Sequence, residues 1–303
     1  MEVTLDHLRL FRDIAATRSI SKASEMNDIS QSAASQHLQE LERQWGVELI
    51  NRKTRPIGLT HAGKRYHEFC REVVRLYQEF QGELAGIKGS VEGVCRVAAI
   101  YSVGLSELTG FERVFRQWHP ECELEMQYLR PERVYEAVLA DRADIGLVSY
   151  PEAKRELTVQ PWRQERMVVA MRPDHRLAKK AQVTPQDLAG EDFIGFDDEL
   201  PVSREIRRYL READVEVEQV MHFDNIQSMK EAVALGSGIS ILPEPILAPD
   251  IEQGRLRGIA LADPGLVRPL GIIRLRRKRL NRACESFLSL LTGASKSLRA
   301  APQ

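Results

Sequence analysis

The sequence predicts an α/β chain in three parts: a small helical head closed by a short β-loop, one long helix, and a two-lobed α/β domain. Three observations predict it. Apolar residues recur at intervals of three and four through Leu5–Ala15 and again through Ala34–Trp45. One amphipathic stretch then runs over residues 61–90 with glycines only near its two ends. Beyond Val94, short apolar runs alternate with amphipathic segments, the pattern of strands crossing to helices and back.

The chain has 303 residues, 43% of them apolar and 29% charged, which is enough material for more than one hydrophobic core. A formal net charge of -1 argues against a generally basic chain that coats nucleic acid, but an average can hide a local patch. Such a patch lies between Leu49 and His67, where Arg52, Lys53, Arg55, Lys64 and Arg65 stand with no acid among them. No apolar run approaches the roughly 20 residues that cross a bilayer, and the opening "MEVTLDHLRLF" lacks the basic and then apolar regions of a signal peptide. The expectation is a cytoplasmic chain with no membrane partner. Cys70, Cys95, Cys122 and Cys284 form no C-x-x-C pair and have no histidine at metal-ligand spacing. They read as small buried apolar residues, with no metal and no cofactor expected.

In the head, "LDHLRLFRDIAA" places Leu5, Leu8, Phe11, Ile14 and Ala15 on one helical stripe. "SISKASEMNDIS" follows, with Ser21 as the expected N-cap of a short helix, a break at Asn27 and Asp28, and Ser30 capping the next helix. In that helix Ala34, Leu38, Leu41 and Trp45 form the buried stripe, leaving Gln31, Ser32, Ser35, Gln36, Gln39 and Arg43 outside. Two helices joined by a short turn, the second slim at its start and lined outside with amides and hydroxyls, is the helix-turn-helix pattern. Such groups donate and accept hydrogen bonds at base edges in a major groove. Gly46 ends the helix. "VELINRKTRPIGLT" then reads as a wing, a basic two-stranded loop whose Arg52, Arg55 and Pro56 reach the DNA backbone or an A·T-rich minor groove.

The run "LRLFRDIAATRSISKASEMNDISQSAASQHLQELERQWGVELINRKTRPIGLTHAG" resembles, element for element, the N-terminal winged helix-turn-helix of LysR-type transcriptional regulators. The family core Ser-Gln-Pro-Ala-x-Ser-Arg-Gln appears here as Ser30, Gln31, Ser32, Ala33, Ala34, Ser35, Gln36 and His37. Ser32 replaces a proline. Gln36 replaces an arginine and so removes a contact to phosphate or guanine.

The stretch that follows, capped at Thr60, carries Tyr66, Phe69, Val73, Leu76, Phe80, Leu84 and Ile87 at three and four spacing. That is nearly a coiled-coil seam, on a helix on the order of 40 Å long, and a partner helix explains it. The resemblance implies the same pairing, antiparallel with a second copy, in a homodimer or tetramer on pseudo-palindromic double-stranded DNA. Tyr66, Phe69, Val73, Leu76 and Phe80 are the dimerisation candidates. Gly82, Gly86 and Gly89 weaken the helix end and mark a hinge.

In the second half, "VCRVAAI", "CELEMQYL" and "ADIGLV" read as strands alternating with the helices "LTGFERVFRQW" and "ERVYEAVLADR". A second set begins at "RMVVAM" and runs through "DFIGF", "REIRRYLREA" and "NIQSMKEAVALGSGISILP" before "LGIIRL" and the last helix "RACESFLSLL". "ADIGLV", "DHRLA" and "ALGSGISILP" are similar to runs of the family's effector domain, which implies a two-lobed fold like that of periplasmic binding proteins. The expected division is 1–60 for the winged head, 61–90 for the linker helix, and 91–295 for the effector domain, with 296–303 a tail. Lobe I takes 91–162 and 268–295, and lobe II takes 163–267.

In such sheets a ligand sits where strand ends meet. By position, Ser102 follows the first strand, Arg130 the second, Ser149 closes the third, and Asn225 precedes a helix whose Gln227 completes a cap with Asp224. These are the effector-site candidates, suited to a small polar or anionic metabolite. "GSGIS" is no dinucleotide fingerprint, and no G-x-S-x-G, H-E-x-x-H or P-loop occurs, so no enzyme is expected. Two other readings remain open. One is a regulator that acts without an effector; the other, a transport-type binding protein, calls for a signal peptide and no head.

Overall fold

The computed structural model describes residues 3–52, 54, 56–87, 93–104, 108–262 and 265–297. They fall into two compact units. One is built on the chain up to Gly93, with the segments Ala140–Arg142 and Arg279–Ala283; the other comprises Val94–Leu139, Ala143–Lys278 and the chain from Cys284.

The first unit begins with α1 (Leu5–Thr17), opened by a capping box in which Thr4 and His7 exchange hydrogen bonds, and ended by Arg18 in the left-handed region at φ 51°. α2 (Ile20–Met26) is capped by Ser19, which accepts the Lys22 N–H, and not by Ser21 as the sequence suggested. Ser19 is the residue with extended backbone, and a cap must lie outside the helical dihedrals. The turn that follows is held by Asn27, whose amide donates to buried Asp13 and to the Ala23 carbonyl, both at 2.9 Å. Asp28 sits there at φ 53°. α3 (Gln31–Trp45) is capped by Ser30 and terminated by Gly46 at φ 63°. β1 (Ile50–Asn51) and β2 (Gly58–Leu59) pair antiparallel as the wing.

α4 (His61–Ile87) starts at Thr60, whose hydroxyl accepts the Gly63 N–H and donates to the Glu48 carbonyl. Gly63 is required: a Cβ there would stand 1.8 Å from the Leu49 carbonyl oxygen. Leu8, Leu10, Phe11, Ile14, Ala23, Ala34, Leu38, Leu41, Leu49 and Ile50 form the core, joined from α4 by Tyr66, Cys70 and Val74.

In the second unit β3 (Gly93–Ile100) and β5 (Ile145–Ser149) run parallel, and their continuous buried runs fit a strand covered on both faces. β4 (Cys122–Leu129) lies at the edge beside β3. α6 (Thr109–Trp118) and α7 (Pro131–Leu139) are the crossovers, and α5 (Tyr101–Val103) is a single turn at the end of β3. β6 (Leu157–Met171) and β11 (Val267–Leu275) carry the chain from this lobe to the next. β6 is longer than the expected "RMVVAM": Leu157–Arg166 pairs with β11, and Met167–Met171 pairs with β9 (Ser240–Pro243) and β10 (Arg257–Ala260).

The second lobe adds β7 (Asp192–Phe196), α8 (Pro201–Glu212), β8 (Glu218–Phe223) parallel to β7, α9 (Ile226–Ala234) and α10 (Glu244–Glu252). Its core holds Val169, Met171, Ile194, Met229, Val233, Ile241 and Leu247. In the first lobe α11 (Arg282–Ser297) seats Phe287 edge-on against Phe115, and the Trp162 indole donates to the Leu291 carbonyl at 2.9 Å. All four cysteines are buried. Among the described residues no helix is long and apolar enough to cross a membrane.

Candidate DNA interface and ligand cleft

α3 turns Ala34, Leu38 and Leu41 inward and leaves Gln31, Ser32, Gln36, Gln39 and Arg43 exposed, with Ser35 half-buried between them. Ser30 and Ser32 hydroxyls lie 2.9 Å apart, so the start of the helix presents a linked pair of hydroxyls next to exposed Gln31. Trp45 departs from the expected buried stripe. It is 39% exposed and stands edge-on to Tyr66, because α3 reaches its end where the core is already closed by α4.

Of the wing residues, Pro56 is exposed, and Arg55, with Lys53, lies outside the described residues. Arg52 donates Nη2 to Glu42 Oε2 at 2.7 Å. The other oxygen of Glu42 accepts the N–H groups of Leu49 and Ile50 at 2.8 and 3.2 Å. One carboxylate on α3 thus ties down the start of the wing, a role that spacing in the sequence did not reveal.

On α4 the expected seam divides. Tyr66 is only 7% exposed, packed against Phe11 and Trp45, and belongs to the head's own core. Burial drives its hydroxyl pKa well above the usual range. Val73 is half-buried against the same cluster. Phe69, Leu76 and Phe80, by contrast, are 54%, 50% and 55% exposed on the unit that carries them.

In the two-lobed unit the crossing strands bury a charged pair. Arg268 of β11 lies opposite Glu165 of β6 and donates Nε to it at 2.8 Å, with a second, closer bond from Nη2. Arg268 Nη1 also donates to Ser102 Oγ at 3.0 Å. Ser102 therefore sits at the end of β3 on a polar cluster that nothing in the sequence pattern joined to it. Tyr150, next to Ser149 at the end of β5, holds φ 48° and packs against the core of the second lobe. Its hydroxyl is buried without a hydrogen-bond partner among the described residues. Burial pushes its pKa up to about 12 against the pull of the Arg268 charge.

Arg130 and Asn225 meet through Asp224. The guanidinium Nη2 of Arg130 is ion-paired with Asp224 Oδ2, while Asp224 Oδ1 accepts from the Asn225 amide at 3.0 Å. The bond to Asn225, together with that to Arg130, holds the Asp224 carboxyl below the usual range. Asn225 is itself the N-cap of α9, accepting the Ser228 N–H at 2.9 Å. The expected cap by Asp224 and Gln227 is not formed, since Gln227 turns along the helix to Glu231. Ser149 closes β5 half-buried, opposite Leu270.

A helix-turn-helix with a wing, together with a two-lobed α/β domain that has a polar cluster at its strand ends, defines a DNA-binding regulator with an effector domain. Residues 5–64 match the family model for bacterial regulatory helix-turn-helix proteins of the lysR family, and residues 88–296 match that for the LysR substrate binding domain. The chain belongs to the LysR family of transcriptional regulators. It is 30% identical over 293 residues to the uncharacterized HTH-type transcriptional regulator YeiE of Escherichia coli (strain K12), covering 95% of this chain and 97% of the relative. It is 24% identical over 286 residues to the HTH-type transcriptional regulator CysL of Bacillus subtilis (strain 168), covering 94% and 96%. Both relatives are named as transcriptional regulators and not as enzymes.

Among solved structures, a point variant of full-length OxyR from Pseudomonas aeruginosa shares the fold at a TM-score of 0.75 and 18% identity, covering 98% of this chain and 96% of that one. The regulatory domain of Synechocystis PCC6803 CcmR, in complex with 2-PG, aligns at a TM-score of 0.63 and 23% identity over 68% of this chain and 99% of that one.

Proposed function

We propose that this regulator acts in the cytoplasm as a homodimer or tetramer, reads an A·T-rich, pseudo-palindromic promoter site, and changes that binding when a small polar or anionic metabolite occupies the cleft between its lobes. The observation that carries the ligand reading is the polar cluster at the ends of β3 and β5: buried Arg268, Glu165 and Ser102 beside a Tyr150 hydroxyl with no partner among the described residues. A buried hydroxyl left unbonded costs stability unless something supplies its partner. Arg130 at the end of the neighbouring β4 adds a positive charge suited to a carboxylate or phosphate. The 2-PG complex of the CcmR regulatory domain supports ligand binding by a domain of this fold.

On the DNA side Gln31, Ser35 and Gln36 read base edges, with Ser32 beside them, while Arg52, Arg55 and Pro56 of the wing meet the backbone and minor groove. Phe69, Leu76 and Phe80 face the partner helix, with Val73 at the margin where α4 leaves the head. Gln31→Ala tests the readout: it should cost about 1–3 kcal/mol at the preferred site and much less on random DNA. Equal losses on both would sink the base-reading role. A thermal-shift screen of carboxylates and phosphates against the wild type and Tyr150→Phe tests the cleft. A compound that stabilises the former and shifts the latter less supports it, and equal shifts place that compound elsewhere.

A further inference from the structure

Among the described residues, two partly exposed ion pairs join the first lobe to the second, apart from the buried Arg268–Glu165 pair on the crossing strands. On one flank Arg130, at the end of β4, is bound to Asp224, which precedes α9 in the second lobe. On the other, Glu152, just past β5, stands 4.0 Å from Arg204 of α8. β3 lies between β4 and β5 in the sheet, so the two pairs flank the strand end that carries Ser102 and the buried cluster.

Asp224 is not a loose partner. One of its oxygens accepts from Asn225, and Asn225 caps α9 through Ser228, so the carboxylate is fixed to the helix start. Arg130, at the other side, uses Nη2 for Asp224 and has no further partner for Nε and Nη1 among the described residues. A guanidinium carries five donors in a rigid fork, so a second oxyanion can approach while the first is still in place.

An anion that reaches Arg130 then meets a carboxylate already bound there. The two negative charges repel, and the one carried by the second lobe can retreat only by moving that lobe. We propose that the Arg130–Asp224 pair is a release latch: it biases the ligand-free domain towards its closed form, and an anionic effector takes Arg130 from Asp224 and lets the lobes part on that flank. This rests on the reading that the effector is an anion held by Arg130. It reverses the usual expectation that a ligand draws two lobes together. With Arg130 at 62% and Asp224 at 32% side-chain exposure, the pair is of the surface kind. Such a pair shifts a two-state ratio by up to about fivefold, a bias that a modest ligand overcomes.

The test uses the full-length chain with spin labels on cysteines introduced at exposed Glu136 of the first lobe and Gln227 of the second, the native cysteines being buried. Interlobe distances are measured by double electron–electron resonance, with inorganic sulfate as the probe anion and chloride at matched ionic strength as control. Asp224→Asn keeps an acceptor for Asn225 and so preserves the cap. Asp224→Asn and Arg130→Gln should each lengthen the mean interlobe distance, and the double variant should add nothing further. Sulfate should lengthen it in the wild type and leave Asp224→Asn unchanged, while binding Asp224→Asn up to about fivefold more tightly. A wild-type distance distribution in Asp224→Asn overturns the latch. Sulfate that binds Arg130→Gln as tightly as the wild type overturns the anion-site reading instead, and the distances of the two single variants still decide whether the lobes are latched. Sulfate that neither binds the wild type nor moves its lobes overturns the coupling.

Discussion

Glu42→Ala removes a carboxylate that ties the wing to the recognition helix, and its cost can be worked from three bonds. Glu42 accepts the Leu49 and Ile50 amides through one oxygen and Arg52 through the other. Leu49 and Ile50 are both buried, so water replaces the lost acceptor poorly. An orphaned buried donor costs ~1–3 kcal/mol. The Arg52 pair adds little, because the guanidinium is 49% exposed and an exposed pair contributes ~0–1 kcal/mol. Taking both amides near the low end gives a loss of about 2–3 kcal/mol. Against a domain stability of ~5–15 kcal/mol this loosens the wing without unfolding the head.

The assay is amide hydrogen exchange at Leu49 and Ile50, read beside thermal unfolding and DNA affinity. Protection at both amides should fall roughly 30- to 150-fold, the equivalent of that free energy. DNA binding should weaken as Pro56 and its neighbours lose their position. Glu42→Gln keeps a carboxamide oxygen for the two amides and should lose less than about 1 kcal/mol. Unchanged protection in Glu42→Ala would refute the reasoning, since it would mean that the wing is held by its strand pairing alone.

Gly63→Ala would drive a methyl into the Leu49 carbonyl; an overpacking cost of about 1–3 kcal/mol or more should appear as a lower unfolding temperature, and a wild-type melt would count against this close approach. Leu76→Glu places a charge on the exposed stripe of α4; the chain should become monomeric or insoluble by light scattering, and an unchanged oligomer would dismiss the seam. Asp144 is buried, which by itself raises its pKa, yet Arg96 and Lys278 hold it down to about 2 from an ordinary 3.8. Because the folded value is the lower one, the stability it contributes, on the order of 2 kcal/mol, is complete above about pH 4 and lost as pH falls towards 2. Asp144→Asn should be destabilised by about 3 kcal/mol or more at pH 7, with Arg96 and Lys278 left unbalanced, and the gap to wild type should close below pH 4. Parallel denaturant curves for the two proteins across that range would disprove the linkage.

Much of the head was legible in the chain because its determinants are local. Ser30, Gly46 and Thr60 act on residues within one helical turn, and the stripe of Ala34, Leu38 and Leu41 is a direct reading of helical period. Where local signals tied, the choice went wrong. Ser19 and Ser21 are equivalent as letters, and only the backbone decides which lies outside the helix. Tyr66 fits a pairing seam by spacing, but α4 turns it into the head beside Phe11. β8 carries no signal in the sequence, because "EQVMHF" has no buried position and so no alternation marks it.

The kind of protein is written along the chain: the order of elements, the helix-turn-helix with its polar outer row, and the alternation that builds two α/β lobes. All of that follows from periodicity and capping, which act over a few residues. The pairing of distant charges across the two lobes is settled only in three dimensions. Arg130 meets Asp224 across 94 positions, and Arg268 meets Glu165 across 103. A charged side chain in a sequence carries no record of its partner, because the energy of an ion pair depends on distance and burial in space, and those are set only once the strands have crossed from one lobe to the other.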